Sequence, residues 1–439
     1  MALAEGVGLR EEVTSLLQEL LRANTVNPPG NELRAAEVLR AYFARDGIEV
    51  ELYARERDRP NVVARLEGGD GPSLAFLSHT DTVLADPAEW DRDPWSGDLV
   101  EGEVWGRGAL DMKGQVAASA VAVALLKREG FAPSGDLLFV TVADEEVGGV
   151  GGHDGYGLRW LVQEHPDAVR CDYAVNEGAG ERLVLGGTPF YSCATAEKMS
   201  APFVLRVRGR SGHASMPGIA DNALVKAARY VDALGSYVPE PTLIPEARRL
   251  LETVLGEVPP LEEAVARAHA LHPLLAALVQ PLLALTLSPT MIEASHQRNV
   301  IPALCEVTVD CRLLPEQTPA DAEPLIRAAL GEGDYELEWS EAVGGTRSPL
   351  DTPLWDVLAE FTAGIEPGAR LTPIACPGFT DSHYLREAFG TVAYGFFPIR
   401  SMDTELATKL VHSANERAAV DDLELGVDML RSTALGLLG

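Results

Sequence analysis

His79, Asp111, the Glu145-Glu146 pair, Glu177 and His412 are side chains of metal-ligand type, and each stands at a strand end or beside a glycine-rich turn. Imidazoles and carboxylates in this number suit a two-zinc hydrolytic centre. Ser73 to Asp81 reads as an apolar strand that runs into His79-Thr80-Asp81. At two-residue spacing on an extended backbone both side chains leave on the same side, so Asp81 can hold the His79 imidazole from behind. Taken alone, the same three residues also make an ordinary strand-end turn closed by an Asx hydrogen bond.

Gly106 to Gly114 is a tight loop that carries Arg107, Asp111 and Lys113 and precedes a helical run from Gln115 to Arg128. Asp111 there is either a helix N-cap or a ligand. A second apolar strand, Leu137 to Ala143, ends in Asp144-Glu145-Glu146 before Val147-Gly148-Gly149. On an extended backbone neighbouring carboxylates point apart, so one can bind a metal while the other faces a bound water. A solvated acidic edge is the plain alternative. Asp172 to Gly178 repeats the order of strand, carboxylate and glycine with Glu177, and Val411 to Glu416 supplies a second imidazole, His412. Singly these two are weak signals; their force comes from the set.

In these motifs and their order along nearly the whole chain, the sequence resembles the M20 family of metallopeptidases and amidohydrolases. The resemblance implies two Zn2+ ions, with Co2+ or Mn2+ as substitutes. It places His79 and Glu177 on one metal, Glu146 and His412 on the other, and Asp111 as the bridge. Glu145 is then the general base and Asp81 the partner behind His79, with a cis peptide expected at Asp111-Met112. Asn176-Glu177-Gly178-Ala179-Gly180 is most similar to the carboxypeptidase S-like branch. Gly212-His213-Ala214-Ser215-Met216-Pro217 resembles a lid segment whose histidine reaches the active site of a partner subunit. His213 would there donate to the carbonyl oxygen as charge grows on it, a contribution of roughly 3–4 kcal/mol for one such donor. A turn histidine packed between glycines is the structural alternative. Asn299 to Pro302 and Val307 to Arg312 match lid segments that contact the substrate's carboxylate end. Arg312 suits this because a planar guanidinium grips a carboxylate through two parallel bonds, although an exposed strand arginine is commonplace. Gly378-Phe379-Thr380-Asp381-Ser382 resembles the loop under the substrate, where Thr380 and the backbone at Gly378 would orient the scissile amide.

The elements that must position these groups are legible in outline. Glu11 to Ala23 and Glu32 to Asp46 read as amphipathic helices separated by Asn27-Pro28-Pro29-Gly30. Strands then alternate with helices to about residue 197, which predicts an α/β fold with a central, mostly parallel sheet and ligands at strand C-terminal ends. An inserted, smaller α+β lid and dimerisation domain is expected over 198–345, with an extra apolar helical insertion at about 235–290. Residues 1–197 and 346–439 are then expected to form the catalytic domain. Leu261 to Leu287 is very apolar but broken by Pro273 and Pro281, too short for a bilayer span of ~20 apolar residues. Packing in the lid or on a second subunit explains it, as would the wall of a pocket for a hydrophobic acyl group. His269 and His272 lack a nearby carboxylate and are read as structural.

With 36 Lys plus Arg against 66 Asp plus Glu, the net charge is −30. That disfavours nucleic acid and anionic membranes as partners. The first residues lack a basic region followed by an apolar stretch, so the cytoplasm is expected. Five cysteines show no paired spacing, consistent with free thiols in a reducing compartment. The expected activity is metal-dependent hydrolysis of an amide bond in short peptides through a metal-bridging water, by a homodimer. Hydrolysis of N-acyl amino acids is the alternative, and a catalytically inactive binding protein of the same family is the alternative from another class. A serine hydrolase is disfavoured because no Gly-x-Ser-x-Gly stands at a strand-to-helix turn.

Overall fold

The computed structural model describes residues 8–147 and 155–439. Met1 to Gly6, and the Gly148-Gly149 pair that follows the acidic turn, lie outside the described residues. The chain divides into two compact units, one of residues 1–195, 348–374 and 380–439, the other of 196–347 and 375–379.

In the first unit the strands Leu74–His79 and Leu137–Val142 are buried at every position. Continuous apolar runs of this kind suit strands covered on both faces. They pair in parallel, Leu74–His79 also pairs in parallel with Tyr173–Asn176, and Val392–Gly395 continues the parallel core. Antiparallel strands extend it: Pro60–Leu66 and Val50–Ala54 on one side, Thr188–Glu197 on the other. The sheet is therefore mixed, parallel in its middle and antiparallel at its flanks. Val50–Ala54 and Pro60–Leu66 are joined by a short turn, which permits only antiparallel pairing.

The helix Lys113–Arg128 is alanine- and valine-rich and buried along nearly its whole length. It packs against Leu9–Arg22 and Val420–Leu438, which completes the larger core. Its start lies so close to the preceding loop that a Cβ on Gly114 would stand 2.4 Å from the Ala109 carbonyl oxygen. Only glycine permits that approach, and it brings the Asp111 loop down onto the helix end.

The second unit is an antiparallel sheet ordered Tyr335–Trp339, Phe203–Arg208, Leu304–Leu313, Met199–Ser200, Val343–Gly344, with Thr286–Glu293 also paired to Leu304–Leu313. Along Leu304–Leu313, Cys305, Val307, Val309, Cys311 and Leu313 are buried, in strict alternation with more open positions. The buried face forms one core with the helices Ala223–Gly235 and Pro319–Leu330. The apolar stretch read from the sequence as one helical run is two helices, Leu261–Leu271 and Pro273–Leu283, followed by the strand from Thr286. Pro273 starts the second helix, where its missing N–H is harmless. That helix packs against Leu261–Leu271 and Pro245–Leu255, burying Leu275, Val279, Leu282 and Leu283. Among the described residues no helix is long and apolar enough to cross a membrane.

Candidate metal centre

His79 closes its strand and is buried, 1% exposed. Its Nδ1 lies 3.1 Å from the Asp81 carbonyl oxygen and 3.5 Å from Asp81 Oδ1. A proton on Nδ1 directed at those oxygens leaves the Nε2 lone pair facing the cage. From Nε2, Asp111 Oδ1 lies at 3.1 Å, Glu177 Oε1 at 3.6 Å and Glu145 Oε2 at 4.0 Å. The other oxygen of Asp111, Oδ2, lies 2.9 Å from His412 Nε2, and Glu146 Oε2 lies 3.1 Å from the same nitrogen. Asp111 thus turns one oxygen to each imidazole, the disposition a bridging carboxylate requires. His412 holds φ +60, a left-handed conformation uncommon outside glycine, to present its ring there. The peptide Asp111-Met112 is cis.

Two details differ from the sequence reading. Glu145 and Glu146 lie in a turn and not on extended backbone, so both carboxylates enter the cage, one near His79 and the other at His412. Asp81 meets His79 more closely through its backbone oxygen than through its carboxylate. That carboxylate instead accepts the backbone N–H groups of Glu145 and Glu146, each at 3.1 Å.

The cage is short of positive charge. Burial opposes a charge on His79, but Glu177, Asp111 and Asp81 outweigh it and hold the imidazole well above its usual range. Hydrogen bonds from His412 to Asp111 and Glu146 raise His412 to about 10. Burial, then the charge of Glu177, pushes the Glu145 carboxyl well above the carboxylate range, and burial raises Glu177 to about 7 against the pull of His79. Glu146 Oε1 is buried with no hydrogen-bond partner among the described residues. Ligand atoms of His79, Glu145 and Glu177 lie within 4.8 Å of one another, as do those of His79, Asp111 and Glu146. Imidazole nitrogens and carboxylate oxygens gathered this closely are a mixed donor set that fits a divalent metal.

The Asp111 loop is fixed by a residue to which the sequence reading gave no role. Glu416, fully buried, accepts Arg107 Nη1 and Gly108 N on Oε2, and Leu110 N and Asp111 N on Oε1. It lies 305 positions from Asp111 in sequence, so no local pattern reveals the pairing. Its one visible signal is its place four residues after His412. Lys113, crowded into the same loop, donates from Nζ to the carbonyls of Leu20 and Ala23 at 3.0 and 2.9 Å, and so caps the end of the helix Leu9–Arg22. Thr380 is buried, and its carbonyl accepts the His383 N–H. Ser382 Oγ accepts Asn176 Nδ2 at 3.1 Å, which ties this turn to the residue before Glu177.

His213, Asn299, Arg312 and Gly378 belong to the second unit. His213 is exposed and pairs with Val300 in a short ladder, while the Asn299 carbonyl accepts Ala214 N at 3.0 Å. His213 Nδ1 accepts the Ser215 backbone N–H at 3.2 Å, so in the neutral ring the proton resides on Nε2. Arg312 lies on the open face of Leu304–Leu313, its guanidinium held by Asp310 through Nε and Nη2, each at 3.0 Å.

The sequence pattern of peptidase family M20/M25/M40 matches residues 75–436. A succinyl-diaminopimelate desuccinylase of Cereibacter sphaeroides is 28% identical over 425 residues, covering 93% of this chain and 94% of that protein. Another, of a Methylobacterium species, is 28% identical over 433 residues, covering 93% and 92%. Among solved structures, an M20 family metallo-carboxypeptidase of Sulfolobus solfataricus has a TM-score of 0.72 at 19% identity, covering 97% of this chain and 99% of that one. Human carnosine dipeptidase 1 gives 0.65 at 18% identity, covering 98% and 96%. The two structures speak for a shared fold. Since the family match begins within the strand that ends at His79 and runs past His412, it takes in every residue of the cage, and the chain belongs to the M20/M25/M40 peptidase family as a hydrolase.

Proposed function

We propose that this enzyme hydrolyses an amide bond in short peptides, with Glu145 as general base. The observation that carries the reading is Asp111 turning one oxygen to His79 and the other to His412, with Glu145 set beside His79. His79 and Glu177 would hold one divalent ion, Glu146 and His412 a second, and Asp111 would lie between them. The ions, Zn2+ with Co2+ or Mn2+ as substitutes, would supply Lewis acidity and an acidified water. Glu145, set beside His79, would take a proton from the attacking water and pass it to the leaving nitrogen.

His213, with its proton on Nε2, is a donor to the developing oxyanion, and we assign it to the centre of a partner subunit in a homodimer. Asn299, Arg312, Gly378 and Thr380 are assigned to substrate contacts. Arg312 would share its guanidinium between Asp310 and the substrate's carboxylate. The five cysteines form no disulfide, which suits the cytoplasm. Hydrolysis of N-acyl amino acids is a second reading, supported by the name desuccinylase on the sequence relatives.

A chelator-controlled screen over dipeptides, C-terminally blocked peptides and N-acyl amino acids tests the assignment. Chelation should abolish turnover and Zn2+ restore it, and dipeptides should be cut faster than the other two classes. Glu145→Gln should keep its metal by elemental analysis while losing more than nine-tenths of the rate; a variant that keeps more than one-tenth of the rate refutes the base.

A further inference from the structure

We infer that Asn27 is a positioning residue that sets the Glu145-Glu146 turn, through one side-chain amide shared between Asp81 and Asp144. The inference rests on the reading of Glu145 as base and Glu146 as ligand, and it gives the Asn27-Pro28-Pro29-Gly30 loop a purpose beyond separating two helices.

The acidic turn is held from behind by two carboxylates. Asp81 accepts the N–H of Glu145 on Oδ1 and that of Glu146 on Oδ2. Asp144, at φ +64, sends its side chain the other way, where it accepts Arg59 Nη2 on Oδ1 at 3.2 Å and Tyr156 N on Oδ2 at 3.2 Å. Asn27 Nδ2 joins the two, donating to Asp81 Oδ2 at 2.9 Å and to Asp144 Oδ1 at 2.9 Å. A primary amide nitrogen carries two hydrogens, and here each is directed to an acid. Asp81 is 0% and Asp144 8% exposed, so water does little to screen their mutual repulsion.

The backbone of the loop is itself fixed. Asn27 N donates to the Thr82 carbonyl at 2.9 Å, next to Asp81 in the chain. Arg59 is gripped by Glu32 through Nε and Nη2 at 3.0 and 2.6 Å. A Cβ on Gly30, at φ +90, would stand 2.3 Å from Arg59 Nε, so the loop lies directly on the guanidinium. The amide therefore has little freedom to reach anything else. Without it, two buried carboxylates face each other, and the turn that carries both Glu145 and Glu146 loses its register. Loss of position at a base lowers kcat with little change in KM, and loss of position at a ligand weakens metal binding.

The test is Asn27→Ala, read in two ways. On the metal-free protein, competition with a chromophoric chelator should show the weaker Zn2+ site loosened ~10-fold, and on the loaded enzyme kcat should fall ~10–100-fold with KM within ~3-fold. Adding Asp144→Asn removes the repulsion and should restore kcat at least ~3-fold over the single variant, a rescue that loss of packing would not give. The inference is overturned by Zn2+ affinity and kcat within ~2-fold of the parent, by a lowered melting temperature with kcat unchanged, or by a double variant no faster than the single one. If Asn27→Ala does not fold, Asn27→Leu keeps a similar shape, removes the donor hydrogens without adding a charge and carries the same criteria for Zn2+ affinity and kcat. Glu145→Gln run alongside separates the failures: an active Glu145→Gln sinks the base assignment, whereas an inactive one beside an unaffected Asn27 variant sinks this inference alone.

Discussion

Glu416 has no place in the chemistry, yet its two oxygens receive four donors from the loop that presents Asp111. An acceptor-only group suits that spot because everything around it donates. Glu416→Gln keeps the shape but turns an NH2 toward one pair of donors, which strands them at a cost of about 1–3 kcal/mol. Urea unfolding of the metal-free variant should show that loss. Zn2+ affinity should fall ~10–100-fold as Asp111 shifts; a variant with unaltered affinity would show that the loop holds its own shape. At this scale the cage residues were legible only as a set, since the strand-end and glycine contexts are weak signals singly and gain force from their order along the chain. Asn27, Arg59 and Glu416 were not flagged, since what distinguishes each is a partner far away in the chain.

At the scale of elements, the buried central strands bring His79, Glu145, Glu146 and Glu177 to their C-terminal ends because a parallel core leaves those ends open to the following turns. Their apolar runs made this readable. The helical insertion of the second unit was readable as apolar, but its anchoring was not. Lys198, fully buried, donates from Nζ to the carbonyls of Pro281 and Ala284 at 3.0 and 2.7 Å, satisfying the end of the helix Pro273–Leu283. Burial lowers the Lys198 ammonium to about 8, below the ~10.4 of an unfolded lysine. Between those values the unfolded chain binds more protons, so the cost of the buried charge is fully present below pH 8 and is relieved as pH rises toward 10. Lys198→Met lacks this dependence. Relative to the variant, the parent should gain about 2 kcal/mol in unfolding free energy from pH 7 to pH 10, measured by denaturant titration; parallel pH profiles would place the ammonium in water.

At the scale of the molecule, a net charge of −30 with 66 acidic residues favours approach of cations and repels polyanions. The assignment of His213 to a neighbouring centre makes quaternary structure part of the activity. His213→Ala and Glu145→Ala should each be inactive alone, and mixing them under conditions that exchange subunits should restore up to about a quarter of parental turnover, the share expected for one intact centre in half of the dimers. No recovery, with exchange verified by light scattering or mass spectrometry, would place His213 in its own subunit's chemistry or outside it.

Periodicity and apolar runs by themselves pointed to the class of fold, because a buried strand must be apolar throughout, and the order of the motifs along the chain carried the resemblance to the family. The tertiary structure alone decided which oxygen of Asp111 faces which imidazole, that Glu145 and Glu146 share a turn, and that Glu416, Asn27 and Arg59 hold the cage from behind. Those facts depend on the closing of long loops, in which residues tens to hundreds of positions apart exchange hydrogen bonds that no short window of sequence contains.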